Sequence, residues 1–223
     1  MKNSLEKNTE DTVEIPSGNV ALEGNLTVPT GAAAVVLFAH GSGSSRHSPR
    51  NRYVADKFHQ AGLATLLFDL LSADEEDFDI RTTRLRFDIA LLTERLLSAT
   101  DWVHENSSLK GFKIGCFGAS TGAGAALVAA AEKPELVAAV VSRGGRPDLA
   151  GSSLARVRCP TLLIVGGNDQ SVIELNRQAM EMMKSDTKLE IIPRATHLFE
   201  EPGALDAVSA LAANWFEMHL AVS

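Results

Sequence analysis

One stretch constrains this chain more than any other. At 112–133 an apolar run, FKIGCFGA, passes through Ser120-Thr121-Gly122 into a small-residue run, AGAALVAAAEK. Gly118-Ala119-Ser120-Thr121-Gly122 has the form Gly-x-Ser-x-Gly. Between a strand and a helix, that form makes a sharp turn with a serine hydroxyl at its apex. Bulky neighbours would not fit so tight a turn. The arrangement predicts a central strand over 112–117, an elbow, and a helix over 121–132 lying close against a sheet.

The rest of the chain supplies that sheet. AAVVLFA at 33–39 is apolar throughout and rich in β-branched residues. It is too short for a typical buried helix and suits a parallel strand covered on both faces. Similar runs lie at 63–71, 136–142, 161–165 and 189–192. Helical patterns separate them, over 50–61, 84–105, 174–183 and 205–220. Ser48 caps the first of these and Pro49 opens it. Leu85, Ile89, Leu92 and Leu96 set the stripe of the second. Leu175, Ala179 and Met182 or Met183 face the sheet in the third. Val208, Leu211, Ala212 and Trp215 pack in the last. Val20, Leu22, Gly24 and Leu26 alternate with polar residues as a half-exposed strand does, with Val13 and Ile15 as partner across a turn at 17–19. Residues 1–12 read as a flexible terminus or edge element, and 13–223 as one domain. The acidic run at 74–79 reads as a solvated loop, or as a rim shaping access to a cleft.

Strand and helix alternate almost from end to end. The fold class is therefore α/β: a three-layer α/β/α sandwich around a mainly parallel sheet. Right-handed crossovers place strand C-termini along one edge, where ligands collect. His40, Asp69, Ser120, Arg143, Asp169 and His197 all follow expected strands.

A serine hydroxyl is a weak nucleophile and needs a base, and the base needs orienting. His197, in the loop after the last strand, is the candidate base for Ser120. Asp169, after the preceding strand, is the candidate to hold its imidazole. His59 and His104 fall in helices, and His47 and His219 lack the late-loop position. The order Ser, Asp, His is that of an α/β-hydrolase. The oxyanion of a tetrahedral intermediate needs two N–H donors. Thr121 is one candidate, and Ser42 or Gly43 in the His40-Gly41-Ser42-Gly43 loop is the other.

Competing chemistries fit less well. Gly41-x-Gly43 lacks the third glycine of a dinucleotide fingerprint, since position 46 is arginine, and there is no Gly-Lys-Ser/Thr for a phosphate loop. No cofactor is expected. No His, Cys, Asp or Glu grouping has metal-ligand spacing, so no metal is expected either. Cys116 and Cys159 fall in or beside strands as small buried hydrophobes. A formal charge of −7 argues against a broad nucleic-acid-binding face. Without about twenty consecutive apolar residues no membrane span is expected. The polar start carries no apolar leader run, which makes the cytoplasm the default location. His40, Arg46 and Arg143 are candidates for substrate contact, the arginines for an anionic group. Buried ion pairs of these arginines with Asp69 or Asp148 are equally admissible.

HGSGSSRHSPRN at 40–51, SRGGRPDLAG at 142–151 and the elbow itself together resemble the dienelactone hydrolase-like branch of the α/β-hydrolase superfamily. The resemblance covers nearly the whole chain after the first dozen residues. It implies Ser120, Asp169 and His197 as a triad, Thr121 with Ser42 around the oxyanion, and a minimal or absent cap. Dienelactone hydrolase uses a cysteine where this chain has Ser120, which favours a general serine hydrolase. The expected substrate is a small ester, lactone or thioester. Acyl transfer or amide cleavage by the same residues, a noncatalytic binding protein on this scaffold, and an anion-binding module built on the arginines are the alternatives. Oligomeric state is not fixed by these patterns.

Overall fold

The computed structural model describes residues 10–221. Among these residues eight strands, numbered along the chain, form one sheet in the order β1-β2-β4-β3-β5-β6-β7-β8. β1 (Glu10–Ser17) and β2 (Val20–Thr27) make an antiparallel hairpin at one edge. β2 joins β4 (Ala64–Phe68) antiparallel. The remaining pairings, through β3 (Ala34–Ala39), β5 (Lys113–Ala119), β6 (Val137–Arg143), β7 (Thr161–Gly166) and β8 (Thr187–Ile192), are parallel.

Period-2 alternation along these strands splits the core in two. Val35, Leu37 and Ala39 of β3 face one layer, while Ala34, Val36 and Phe38 face the other. The first layer packs α3 (Ile89–Glu105), α4 (Thr121–Glu132) and Ala179 of α5 (Gln170–Met182). The second packs α1 (Pro49–Gln60) and α6 (Ala204–Leu220). Phe38, Phe58, Phe117 and Phe216 meet there with ring centres 5.0–5.7 Å apart. All four are essentially fully buried, a burial worth roughly 1.5–3 kcal/mol for each ring. No helix among the described residues is long and apolar enough to cross a membrane.

The acidic run is not a loop. It lies in α2 (Ala73–Thr82), started by a capping box in which Ser72 and Glu75 satisfy each other's backbone N–H groups. Asp79 holds the far end. It is fully buried and accepts from Leu85 N at 2.7 Å, Arg86 N at 3.2 Å and Arg86 Nε. Burial alone would raise the Asp79 carboxyl, but Arg86 and the backbone donors outweigh it and hold it below its ordinary range. Asp79→Asn removes the charge-assisted bond to Arg86, and we expect it to lower urea-unfolding free energy by about 2 kcal/mol. A loss under a few tenths would mean that α2 is held by something else.

Other boundaries also move. The expected helix over 84–105 is broken at Asp88, whose carboxylate accepts from Leu91 N and caps α3. Leu85 belongs instead to a 3-10 turn, Leu85–Phe87. α5 starts at Gln170, and its buried face is Val172, Ile173, Asn176 and Ala179, with Met183 just beyond; Met182 is exposed. β1 takes in Glu10–Thr12 of the expected flexible terminus, and residues 1–9 lie outside the described residues.

Candidate active site

Strand register sets the site. Ala39 of β3 lies beside Gly118 of β5, and Ala119 beside Arg143 of β6. His40, Ser120 and Gly144 therefore emerge at one level of the sheet edge. Ser120 adopts φ 50°, ψ −119°, a left-handed φ that costs a non-glycine residue about 1–3 kcal/mol. Tertiary bonds hold it there: Ser120 N donates to Arg143 O at 3.3 Å, and Arg146 N donates to Ser120 O at 3.0 Å. The hydroxyl-bearing residue stays partly exposed.

Asp169 and His197 come from the next two loops. Gly167 N donates to Ile192 O at 2.8 Å, Asn168 N to Ala195 O at 2.9 Å, and Asn168 Nδ2 to Arg194 O at 2.8 Å. These bonds lace the loop after β7 to the loop after β8. Arg194 and Phe199 flank the histidine at positive φ, and buried Phe199 pins that loop to the core. In this frame His197 Nδ1 lies 2.7 Å from Asp169 Oδ2, with Asp169 largely shielded from solvent and the imidazole more open. A carboxylate there keeps the proton on Nδ1 and leaves the Nε2 lone pair free. A Cβ placed on Gly144 would stand 3.5 Å from His197 Cε1, so the ring rests against the strand beside Ser120's. No hydrogen bond joins Ser120 Oγ to His197 among the described residues; such contacts often tighten only with substrate.

Thr121 is the first residue of α4, where backbone N–H groups have no intrahelical acceptor. The turn holding Ser42 and Gly43 closes through Ser44 N and Gly41 O at 3.2 Å. Gly41 brings this turn against the elbow, since a Cβ there would stand 3.1 Å from Ser120 Cβ. Arg86, clamped by Asp79, sits behind Gly43.

Both ring nitrogens of His40 are engaged within the protein. The residue is buried, Leu70 N donates to its Nε2 at 3.0 Å, and its Nδ1 lies 2.9 Å from Gly41 O. Nε2 accepts, so Nδ1 carries the proton and donates to Gly41. His40 thus ties the Gly41 end of the candidate oxyanion loop to Leu70. Burial lowers its pKa below the ordinary 6.5, and His59 is lowered for the same leading reason. The neutral forms are favoured by folding. Their contribution is fully present above pH 6.5 and is lost as pH falls below that value. We expect urea-unfolding free energy to fall between about pH 7.5 and about pH 5.5, and His40→Gln to make that fall smaller. An unchanged slope in the variant would remove His40 from the account.

Arg46 is committed to the scaffold. Its N–H donates to Asp69 Oδ1 at 2.7 Å, and its guanidinium pairs with Asp69 and Glu23. Arg146 is likewise forked onto Asp148, at 2.8 and 2.7 Å. Arg143 has no such partner among the described residues. Burial, and secondarily the charge of Arg50, push its pKa down to about 10. A cavity of about 950 Å³ opens beside Ser42 and Gly43 and runs to Arg50, with Asp74 and Glu76 of α2 on its rim. The acidic segment does therefore border a cleft. Cys116 and Cys159 are buried thiols, Cys116 raised far above the ordinary range and Cys159 pushed up to about 11, both chiefly by burial. Neither suits a thiolate nucleophile. Asn176 was not singled out from the sequence. Buried on α5, it donates to Gly145 O at 3.0 Å and steadies the β6 loop.

The dienelactone hydrolase family model matches residues 22–220. The chain belongs to the dienelactone hydrolase family. A crystal structure of a dienelactone hydrolase from Anabaena variabilis is 61% identical, covering 96% of this chain and 99% of that one, with a TM-score of 0.95. Est1E from Butyrivibrio proteoclasticus shares the fold at 16% identity, covering 95% of this chain and 99% of its own, with a TM-score of 0.78. A Mycobacterium tuberculosis H37Rv protein with a provisional phosphoribosyl transferase name is 54% identical over 211 residues, which are 95% of this chain. The chain spans 47% of that relative's length. The sheet order, the elbow and family membership together give this chain the α/β-hydrolase fold.

Proposed function

We propose that the protein cleaves a small carboxylic ester, lactone or thioester through an acyl-enzyme on Ser120. The observation that carries this reading is the 2.7 Å contact of His197 Nδ1 with Asp169, at the sheet edge where Ser120 is held at the apex of its turn. Ser120 Oγ attacks the carbonyl carbon while its proton passes to His197 Nε2. Asp169 accepts from Nδ1–H and stabilises the imidazolium. The new alkoxide receives N–H bonds from Thr121 and from Ser42 or Gly43. Collapse breaks the carbonyl carbon's bond to the leaving oxygen or sulfur, which takes the proton from His197. Water then gives a proton to His197 and adds to the acyl carbon. The second collapse frees the acid and returns the proton to Ser120.

Lactones, suggested by the Anabaena relative's name, fall within this class. The phosphoribosyl transferase name belongs to a protein of which this chain matches less than half. The test is intact-protein mass after exposure to a fluorophosphonate probe. One adduct, mapped to Ser120, is the expected result; labelling elsewhere, or none, would turn the reading toward a noncatalytic binding protein.

A further inference from the structure

A trans peptide group points its C=O and its N–H in opposite directions, so fixing the oxygen aims the hydrogen. All peptide bonds among the described residues are trans. Two such groups stand in line behind the elbow. The first joins Ser120 to Thr121, and its N–H is a candidate oxyanion donor. Its oxygen accepts from Ala123 N at 3.1 Å and from Arg146 N at 3.0 Å. The Ala123 bond lies in the first turn of α4 and moves with that helix. The Arg146 bond reaches it from outside. The second group joins Gly145 to Arg146, so the N–H that holds Ser120 O shares a plane with Gly145 O. That oxygen accepts from Asn176 Nδ2 at 3.0 Å.

Asn176 is fully buried in the middle of α5. Its Nδ2 also donates to Val172 O at 2.8 Å. Both contacts are carbonyls, which decides the end of the amide that faces them. Oδ1 has no partner among the described residues. A buried polar atom left so costs free energy that an apolar side chain of the same size would not. The loop that Asn176 grips has little room. A Cβ on Gly145 would stand 1.9 Å from Ser142 Oγ and 2.5 Å from Ala123 Cβ, and Gly144 N donates to Ile164 O at 2.7 Å. Turning of the Gly145–Arg146 peptide is the motion that Asn176 opposes. Hydrogen bonds in series also polarise one another, so each bond in this line strengthens the next N–H.

Resting on the hydrolase reading above, we propose that Asn176 is a positioning residue for the reaction. Through the Gly145–Arg146 and Ser120–Thr121 peptide groups it aims and polarises the Thr121 N–H that receives the oxyanion. It touches neither the substrate nor the reacting atoms. Its effect falls on the transition state, where that N–H is used, and not on substrate binding.

Asn176→Leu keeps the size of the side chain and removes the donor. Outright loss of one oxyanion donor costs about a hundredfold or more in kcat, and this variant misdirects one. With p-nitrophenyl acetate it is expected to lose about tenfold in kcat, with KM within about twofold of the parent. The fluorophosphonate labelling rate of Ser120 should fall with kcat. The pH profile should keep the parent's inflections, which belong to His197 and Asp169. In amide NMR spectra the Arg146 and Thr121 protons should move upfield as the line of bonds weakens. Should Asn176→Leu not fold, Asn176→Ser makes the same test, because a helical serine hydroxyl turns back to Val172 O and leaves Gly145 O without its donor. Parental rates or unmoved amide protons overturn the proposal. So does a shifted pH profile, which would trace the loss to Asp169. Labelling of the unmodified protein separates the proposal from the reading beneath it. A labelled Ser120 with unmoved amides in the variant removes the relay and keeps the hydrolase. Moved amides in a protein whose Ser120 takes no probe sustain the relay and remove the hydrolase reading.

Discussion

Ser120→Ala is expected to reduce hydrolysis of every ester that the protein cleaves by about 10⁴-fold or more, and to abolish its fluorophosphonate adduct. Alanine removes the only atom able to form the acyl bond, and leaves His197 and Asp169 to act on water alone. Single-turnover and steady-state rates should fall together, because the lost interaction belongs to the transition state. Stability provides an independent check on the elbow. Ser120 sits at φ 50°, and alanine inherits that strain. Ser120→Gly relieves it, so the glycine variant should be equally inactive yet more stable than the alanine variant by about 1 kcal/mol in urea unfolding. Parental rates in Ser120→Ala would end the mechanism. Greater stability of the alanine variant would show that the serine is not strained.

What the sequence made legible follows from how local each cause is. β3, β5 and β7 are readable because a strand buried on both faces must be apolar at every position. α4 is readable because an elbow fixes its first residue. α2 was hidden by its charges, although Ser72 and Glu75 spell its cap. Its anchor is Asp79, whose partners lie beyond the helix, so no apolar stripe announces it. Leu85 fits the spacing of Ile89, Leu92 and Leu96 well enough to extend α3 too far, and only the Asp88 cap breaks the pattern. His40 could not be placed from sequence. Its role comes from Leu70 N, which parallel pairing of β3 with β4 brings to the ring. Arg143 and Arg46 look alike as residues following strands, and only tertiary pairing separates Arg46, held by Asp69 and Glu23, from Arg143, which meets no carboxylate among the described residues.

Gly122→Ala should show how far the site depends on close backbone approach. In an exposed helix interior, glycine to alanine adds about 1 kcal/mol of stability. Here a Cβ would overlap the Ala39 carbonyl oxygen and stand 2.5 Å from that of His40. Both obstacles are main chain at the end of a fully buried strand, so no side-chain rotation relieves them. α4 would have to draw away from β3. Gly118 blocks the opposite adjustment, because it already lies where a Cβ would come 2.5 Å from Ala123 Cα. We therefore expect a loss of about 4 kcal/mol or more, at the severe end for one substitution. Activity should fall further than the folded fraction does, since Thr121 N–H moves with the helix while Ser42 and Gly43 stay with β3. Urea unfolding followed by circular dichroism, beside active-site titration of the folded fraction, separates the two effects. A variant as stable as its parent would mean that α4 and β3 do not approach this closely, and the paired N–H donors proposed for the oxyanion would lose their basis.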